Sequence, residues 1–385
     1  MERIIEMYQN LCMQSKIKPR KSIKRSFEDI QTTDQISLII QGNYKLNFHD
    51  RIEDIDSEPL FKSLSPLVMN IELIDLQYNL IGNSGAEYLA TLLNDCRRLK
   101  SLNLQGNKLL EKGAKVISEA LKGNESLMIF NLNDNIIKTE GLMSVTELLF
   151  TNTSLSRLDV GNNQIDHDGI IAITSVLNCS NSTLEVLNID NPRYNFIGQE
   201  TAIHIAKMLA NNSGLKKISL RKHLLRCNGI YIIAEHLLEN TILRVLDLNA
   251  NEIAPEGCSY IGKYLSQESC KLESLYLASN KAVDLGAKAI SLAIAKNKSL
   301  IHLDFTYNNI NDDGLSRLAE SLFHNSTLIS FKLFGNHFAQ EAMGLFKKLF
   351  EEKKEKGWAD FLVYIVDEHF DMAYVETKLN LDIYV

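Results

Sequence analysis

The chain has 385 residues, 45% hydrophobic and 23% charged, with 41 basic against 48 acidic side chains and a formal net charge of −7. That apolar content excludes a disordered chain, and no apolar run approaches the roughly 18–20 residues that cross a bilayer. Six scattered cysteines with no C-x-x-C pair read as free, largely buried thiols, so neither a disulfide framework nor a zinc site is expected. The start lacks the apolar core of a signal peptide. A soluble, intracellular protein is expected.

In chain order, Met1 to Gln14 places Ile4, Ile5, Tyr8, Leu11 and Cys12 on one helical face, which predicts a short docked helix. Residues 16–25 (KIKPRKSIKR) carry six basic and no acidic groups. Lys18, Arg20, Lys21, Lys24 and Arg25 are the candidates for docking in the acidic groove of a nuclear import receptor, while a solvated charge run is the plain alternative. Residues 1–34 as a whole are read as a basic, partly disordered leader. A degenerate repeat, LIIQGNYKL around Asn43, and SEPLFKSLSPL (57–67) then serve as an N-terminal cap.

The repeat decides the fold. L-x-x-L-x-L-x-x-N-x-I/L recurs with its Asn at Asn79, Asn107, Asn135, Asn163, Asn251, Asn280, Asn308 and Asn336, at a spacing of 28 residues, once 29. Two deviant copies lie between: LEVLNIDNPRYNFI delays its Asn to Asn195, and LKKISLRKHLL carries His223 in the Asn place. In the copy at 99–126, Leu99, Leu102 and Leu104 turn to one side of a short strand, and Asn107 satisfies backbone groups of the turn. Gly113 falls near the helix start, and Ala114, Ile117, Ala120 and Leu121 follow at helical spacing. One unit cannot bury both its strand and helix faces, so units must stack. Residues 35–356 are thus predicted to form an α/β solenoid of about ten clear repeats, a horseshoe with a parallel concave sheet and convex helices. In 357–385, Phe361, Val363 and Ile365 alternate before a polar turn at Asp367, Glu368 and His369, which predicts a hairpin cap and tail.

The 28-residue period with a full helix resembles the ribonuclease-inhibitor-like class of leucine-rich-repeat proteins. The C-terminal segment and the repeat number further resemble one vertebrate member, which implies a protein–protein adaptor of cytoplasm and nucleus, nucleolus included. The motif is specific for fold and weakly informative for function.

No chemistry announces itself. Phosphate-binding loops and nucleophile elbows are absent. Asp166, His167 and Asp168 fit a polar strand-to-helix loop, and NNINDDG (308–314) lacks the ligand alternation of a calcium loop. N-x-S/T triplets such as Asn124 and Asn152 recur because the return loop ends that way. No catalytic residue, cofactor or metal is expected, so recognition on the concave face remains. Its outward positions are acidic in the first half (Glu72, Asp75, Asp134, Asp159, Glu185 and Asp190 against Lys100 and Arg157) and then change sign. Arg193, Lys216, Lys217, Arg221, Lys222 and Arg244 form the candidate site for an acidic protein segment. Tyr276, Tyr307 and Phe334, with Ile301, His302 and Ile329, supply candidate aromatic and apolar contacts. The leading expectation is a non-catalytic scaffold, monomeric by default and without membrane contact. Regulation of an enzyme such as a small GTPase or nuclease is one rival; RNA binding through the basic patch is the other, disfavoured by the acidic half.

Overall fold

The computed structural model describes residues 1–30, 34–193, 199–353, 361–366 and 369–374. The chain divides into two compact units, Met1–Phe196 and Ile197–Val385.

The first unit opens with helices α1 (Glu2–Gln14) and α2 (Lys21–Glu28), followed by strand β1 (Ile36–Ile39) and α3 (Asp54–Leu64). The repeats then run β2 (Ile71–Asp75), α4 (Asn83–Leu93), β3 (Ser101–Asn103), α5 (Glu111–Leu121), β4 (Ile129–Asn131), α6 (Lys138–Thr151), β5 (Arg157–Asp159), α7 (His167–Cys179) and β6 (Val186–Asn188). β1 to β6 pair in chain order and in parallel, as strand–helix repeats of fixed hand must.

The second unit continues the alternation with α8 (Glu200–Asn211), β7 (Lys217–Ser219), α9 (Arg226–Leu237), β8 (Val245–Asp247), α10 (Pro255–Leu265) and β9 (Ser274–Tyr276). It ends in α11 (Val283–Ile294), β10 (His302–Asp304), α12 (Asp312–His324), β11 (Ser330–Lys332) and α13 (Gln340–Lys353). β7 to β11 again form a parallel sheet in chain order. An antiparallel hairpin, β12 (Phe361–Val366) with β13 (His369–Tyr374), lies against α13. Each unit is therefore a solenoid of strand–turn–helix repeats. The residues 375–385 of the expected tail lie outside the described ones.

The core is built by one residue per strand and the helix face behind it. Leu102, Phe130, Leu158 and Leu187 in the first unit, and Ile218, Leu246, Leu275, Leu303 and Phe331 in the second, are buried beneath the sheet. The recurrent Asn forms the ladder that closes each turn. Asn135 Nδ2 donates to the Leu104 and Leu132 carbonyls, while its Oδ1 accepts from Leu109 N–H. Asn107, Asn163, Asn280, Asn308 and Asn336 repeat this bonding to carbonyls of their own and the preceding repeat. The helix-start glycine is also explained: a Cβ on Gly314 would lie 2.9 Å from Asp284 Cα of the preceding repeat.

The N-terminal leader departs from expectation. Residues 1–30 form two packed helices in place of the expected partial disorder, and residues 31–33 lie outside the described ones. α1 buries Ile4, Tyr8 and Cys12, and α2 buries Ile23 and Phe27, with Tyr8 and Phe27 edge to face. Arg20, between the helices, clamps both oxygens of the buried Asp56 at 3.0 and 2.9 Å and also reaches Glu53. Four of the six thiols (Cys12, Cys96, Cys258, Cys270) are buried, Cys227 is partly covered and Cys179 is exposed, and all six are free.

Candidate functional site

The sheet of the second unit carries most of the residues singled out above. Register places Lys217, Val245, Ser274, His302 and Ser330 in one row across five strands. Ser219, Asp247, Tyr276, Asp304 and Lys332 form the parallel row two residues on. Both point away from the core row, because side chains alternate along a strand. The spacing of adjacent strands, about 4.8 Å, makes the face about 19 Å wide from β7 to β11.

The basic end is narrower than the sequence suggests. Lys217 is half-buried and Lys222 exposed, and no carboxylate among the described residues lies within ion-pair distance of either. Lys216 and Arg221 sit on the same strand and its exit. Arg244 is committed: its Nε faces Glu273 Oε1 at 3.4 Å, and its Nη1 donates to the Thr241 and Ile242 carbonyls at 2.9 and 2.7 Å. Arg193 belongs to the first unit, where its N–H donates to Ile165 O. His223 is buried in the ladder position rather than displayed.

Beside this face the structure adds cations that the strand pattern did not single out. Lys271, Lys296 and Lys298, with Arg244, line a cleft of about 760 Å³ together with Glu268, Glu273, Cys270 and Ile301. Cations outnumber carboxylates there, which extends the positive field of the basic end. These lysines lie in or beside return loops, outside the strand positions that periodicity identifies.

The aromatic end is assembled by β9 to β11 and their exits. Tyr307 is 53% exposed and Phe334 37% exposed, and their rings meet edge to face at 5.3 Å. Gly335 makes room: at φ +76° it adopts a left-handed conformation, and a Cβ there would stand 2.4 Å from the Tyr307 ring. Tyr276 lies 4.9 Å from the His302 ring. His302, only 3% exposed, places Nδ1 2.7 Å from Ser330 Oγ while its Nε2 has no hydrogen-bond partner among the described residues. Burial, and secondarily Lys332, pushes the His302 pKa down to about 4, with Asp304 opposing; the ring is neutral at physiological pH.

The first unit's acidic face is partly consumed by its own structure. Asp75, Asn103, Asn131 and Asn188 each accept the N–H two residues on, closing the strand exit. Asp159 takes Arg157 Nε at 2.8 Å, and Glu72 pairs with Lys100 and Arg98 at 2.8 and 3.0 Å. Lys100, then Arg98, hold the Glu72 carboxyl below the usual carboxylate range. Asp166 caps α7 by accepting from Gly169 N–H, and His167 pairs with Asp168 at 3.2 Å on the surface.

The import candidates are similarly engaged. Arg20 is held by Asp56 and Glu53, and Arg25 donates to Leu46 O and Asn47 Oδ1. Lys21 and Lys24 are exposed on α2, and Lys18 is exposed ahead of it. Within the run, residues 21–25 are helical and Lys18 to Arg20 precede the helix, with Arg20 extended but tied to Asp56, whereas a receptor groove takes a free extended segment.

Comparison of the sequence with known proteins finds related leucine-rich repeats. A family model described as Leucine Rich repeat matches residues 151–173, 239–262 and 296–319. Leucine-rich repeat-containing protein 34 of Rattus norvegicus is 30% identical over 205 residues, covering 53% of this chain and 49% of that protein, so the match spans about half the relative's length. The ribonuclease inhibitor of Sus scrofa is 26% identical over 129 residues, 34% of this chain and 28% of the inhibitor. Among solved structures, leiomodin-1 actin-binding site 2 aligns with a TM-score of 0.34 at 22% identity, covering 39% of this chain and 86% of that one.

Proposed function

We propose that this chain, whose repeats are similar to those of ribonuclease-inhibitor-like leucine-rich-repeat proteins, is a non-catalytic interaction module whose second unit binds an acidic protein segment across β7 to β11. One observation carries the reading: a basic end at Lys217 and Lys222 and an exposed aromatic end at Tyr307 and Phe334 share a single five-stranded face. An extended segment of about six residues spans that width. Cations at one end steer an acidic partner, and the aromatic pair supplies the desolvated contact that dominates affinity.

The test is fluorescence anisotropy with labelled hexaglutamate, and hexalysine as control. The wild-type chain binds hexaglutamate in preference, and Lys217→Glu/Lys222→Glu weakens it at least tenfold with an unchanged circular dichroism spectrum. Equal affinity in the two proteins overturns the proposal. The engagement of Arg20 and Arg25 leads us to read residues 18–25 as part of the N-terminal cap, with nuclear delivery requiring α2 to open first.

A further inference from the structure

His302 poses a question that the fold does not answer. A buried polar nitrogen without a partner is costly, and native structures rarely leave one without a reason. Its donor state follows from counting. Ser330, 1% exposed, has its hydroxyl bonded to His302 Nδ1. If the hydroxyl donates to Nδ1, the proton sits on Nε2 and one donor is unpaired. If Nδ1–H donates instead, both the hydroxyl hydrogen and the Nε2 lone pair are stranded. The first arrangement leaves fewer orphans, so the unpaired group is an Nε2–H donor. Asp304 Oδ1 accepts from Thr306 N–H and Oγ1, and no acceptor among the described residues, Asp304 included, lies within hydrogen-bond distance of Nε2.

The position of that donor is as informative as its state. His302 shares a row with Lys217, three strands away, so the two are about 14 Å apart. An extended chain covers that distance in about four residues, and residues i and i+4 of an extended chain point to the same side. The row between them holds only Val245 and Ser274, both buried, while the flanking Arg244, Glu273, Ile301, Asp247 and Tyr276 stand partly exposed. The row is therefore the floor of a shallow trough walled by longer side chains.

We propose that this trough reads a two-point motif in an extended partner segment: a carboxylate that meets Lys217 and, four residues along, a hydrogen-bond acceptor that takes the Nε2–H of His302. The inference rests on the reading of this face as the site for an acidic segment, and it adds the spacing. Admitting the acceptor requires the partly exposed Tyr276, whose ring lies 4.9 Å from that of His302, to turn aside. Between the two points the partner carries a small apolar side chain at i+2, facing Val245 and Ser274.

Two labelled peptides test the spacing: Ser-Glu-Ser-Val-Ser-Asn-Ser, with its acid and amide four apart, and Ser-Glu-Ser-Val-Asn-Ser-Ser, with them three apart. The wild-type chain binds the first about tenfold tighter, the worth of one good hydrogen bond. His302→Phe abolishes that preference. Nitrogen-15 NMR of the wild-type imidazole reports the Nε2–H tautomer, and Nε2 shifts on adding the first peptide. An Nδ1–H tautomer, or equal affinity of the wild type for the two peptides, overturns the proposal, whether or not His302→Phe folds. If hexaglutamate binding is lost in Lys217→Glu/Lys222→Glu yet the spacing has no effect, the motif falls alone. If neither hexaglutamate nor the peptides bind, the acidic-segment reading falls with it.

Discussion

Replacing Asn135 by Ala tests the ladder that defines the repeat. The side chain is 3% exposed and makes four bonds: Oδ1 with Leu109 N–H at 3.1 Å, and Nδ2 with Leu104 O and Leu132 O at 2.9 Å each and with Asn133 O at 3.2 Å. The losses differ in kind. Leu104 O keeps Asn107 Nδ2 at 3.0 Å, Leu132 O keeps Asn163 Nδ2 at 2.9 Å and Asn133 O keeps Gly106 N–H at 3.0 Å, so each carbonyl retains a donor. Leu109 N–H is left buried without an acceptor. One orphaned donor and three weakened carbonyls together cost about 2–4 kcal/mol. Asn135→Asp costs more, because it retains the acceptor but sets a carboxylate against three carbonyl oxygens. Urea denaturation measures the loss, and amide hydrogen exchange at Leu109 localises it, with the exposed Asn94→Ala as a control expected within about 0.5 kcal/mol of wild type. A loss below about 1 kcal/mol with Leu109 still protected refutes the reasoning.

Arg20→Ala strands the buried Asp56 carboxylate and destabilises the first unit by about 3 kcal/mol in urea denaturation; a change under 1 kcal/mol contradicts the packed N-terminus. Gly335→Ala meets both positive φ and the Tyr307 ring, and costs about 1–3 kcal/mol with a changed Tyr307 fluorescence or NMR signal, whereas a neutral result counts against the close approach. His302 makes stability fall with acid. Its pKa drops from 6.5 to about 4 on folding, so the unfolded chain binds the proton first, and stability present above pH 6.5 is lost as pH falls towards 4. Across that window wild type loses up to about 1.4 kcal/mol per pH unit more than His302→Phe; parallel pH profiles for the two proteins exclude the burial of a neutral imidazole.

The solenoid was legible because its rules are local. The leucine alternation, the Asn that ends each strand and the helical spacing after the glycine all lie within 28 residues, and each has one structural solution. The fold of α2 was not legible. Its Ile23 and Phe27, four apart, were masked by the surrounding lysines and arginines, and their burial depends on α1 and on Asp56, 36 residues beyond Arg20. On the second unit's face, the outward positions followed from the two-residue period, but their state did not. Glu273 neutralises Arg244 from the next repeat, and Ser330 fixes His302 from 28 residues away. The cleft lysines fall in or beside return loops, where periodicity assigns no face. Charge and exposure are set by neighbours across strands, which one repeat read alone does not contain.

The most direct measurement is methyl NMR of the isoleucine-labelled chain titrated with hexaglutamate. Ile301 and Ile329 border the face, Ile39 lies exposed on the first unit's sheet, and Ile173 and Ile290 are buried residues of α7 and α11. Saturable shifts at Ile301 and Ile329, with Ile39, Ile173 and Ile290 unmoved, are the result expected of an acidic segment lying across β7 to β11. Shifts confined to Ile39, or none at millimolar peptide, would contradict it.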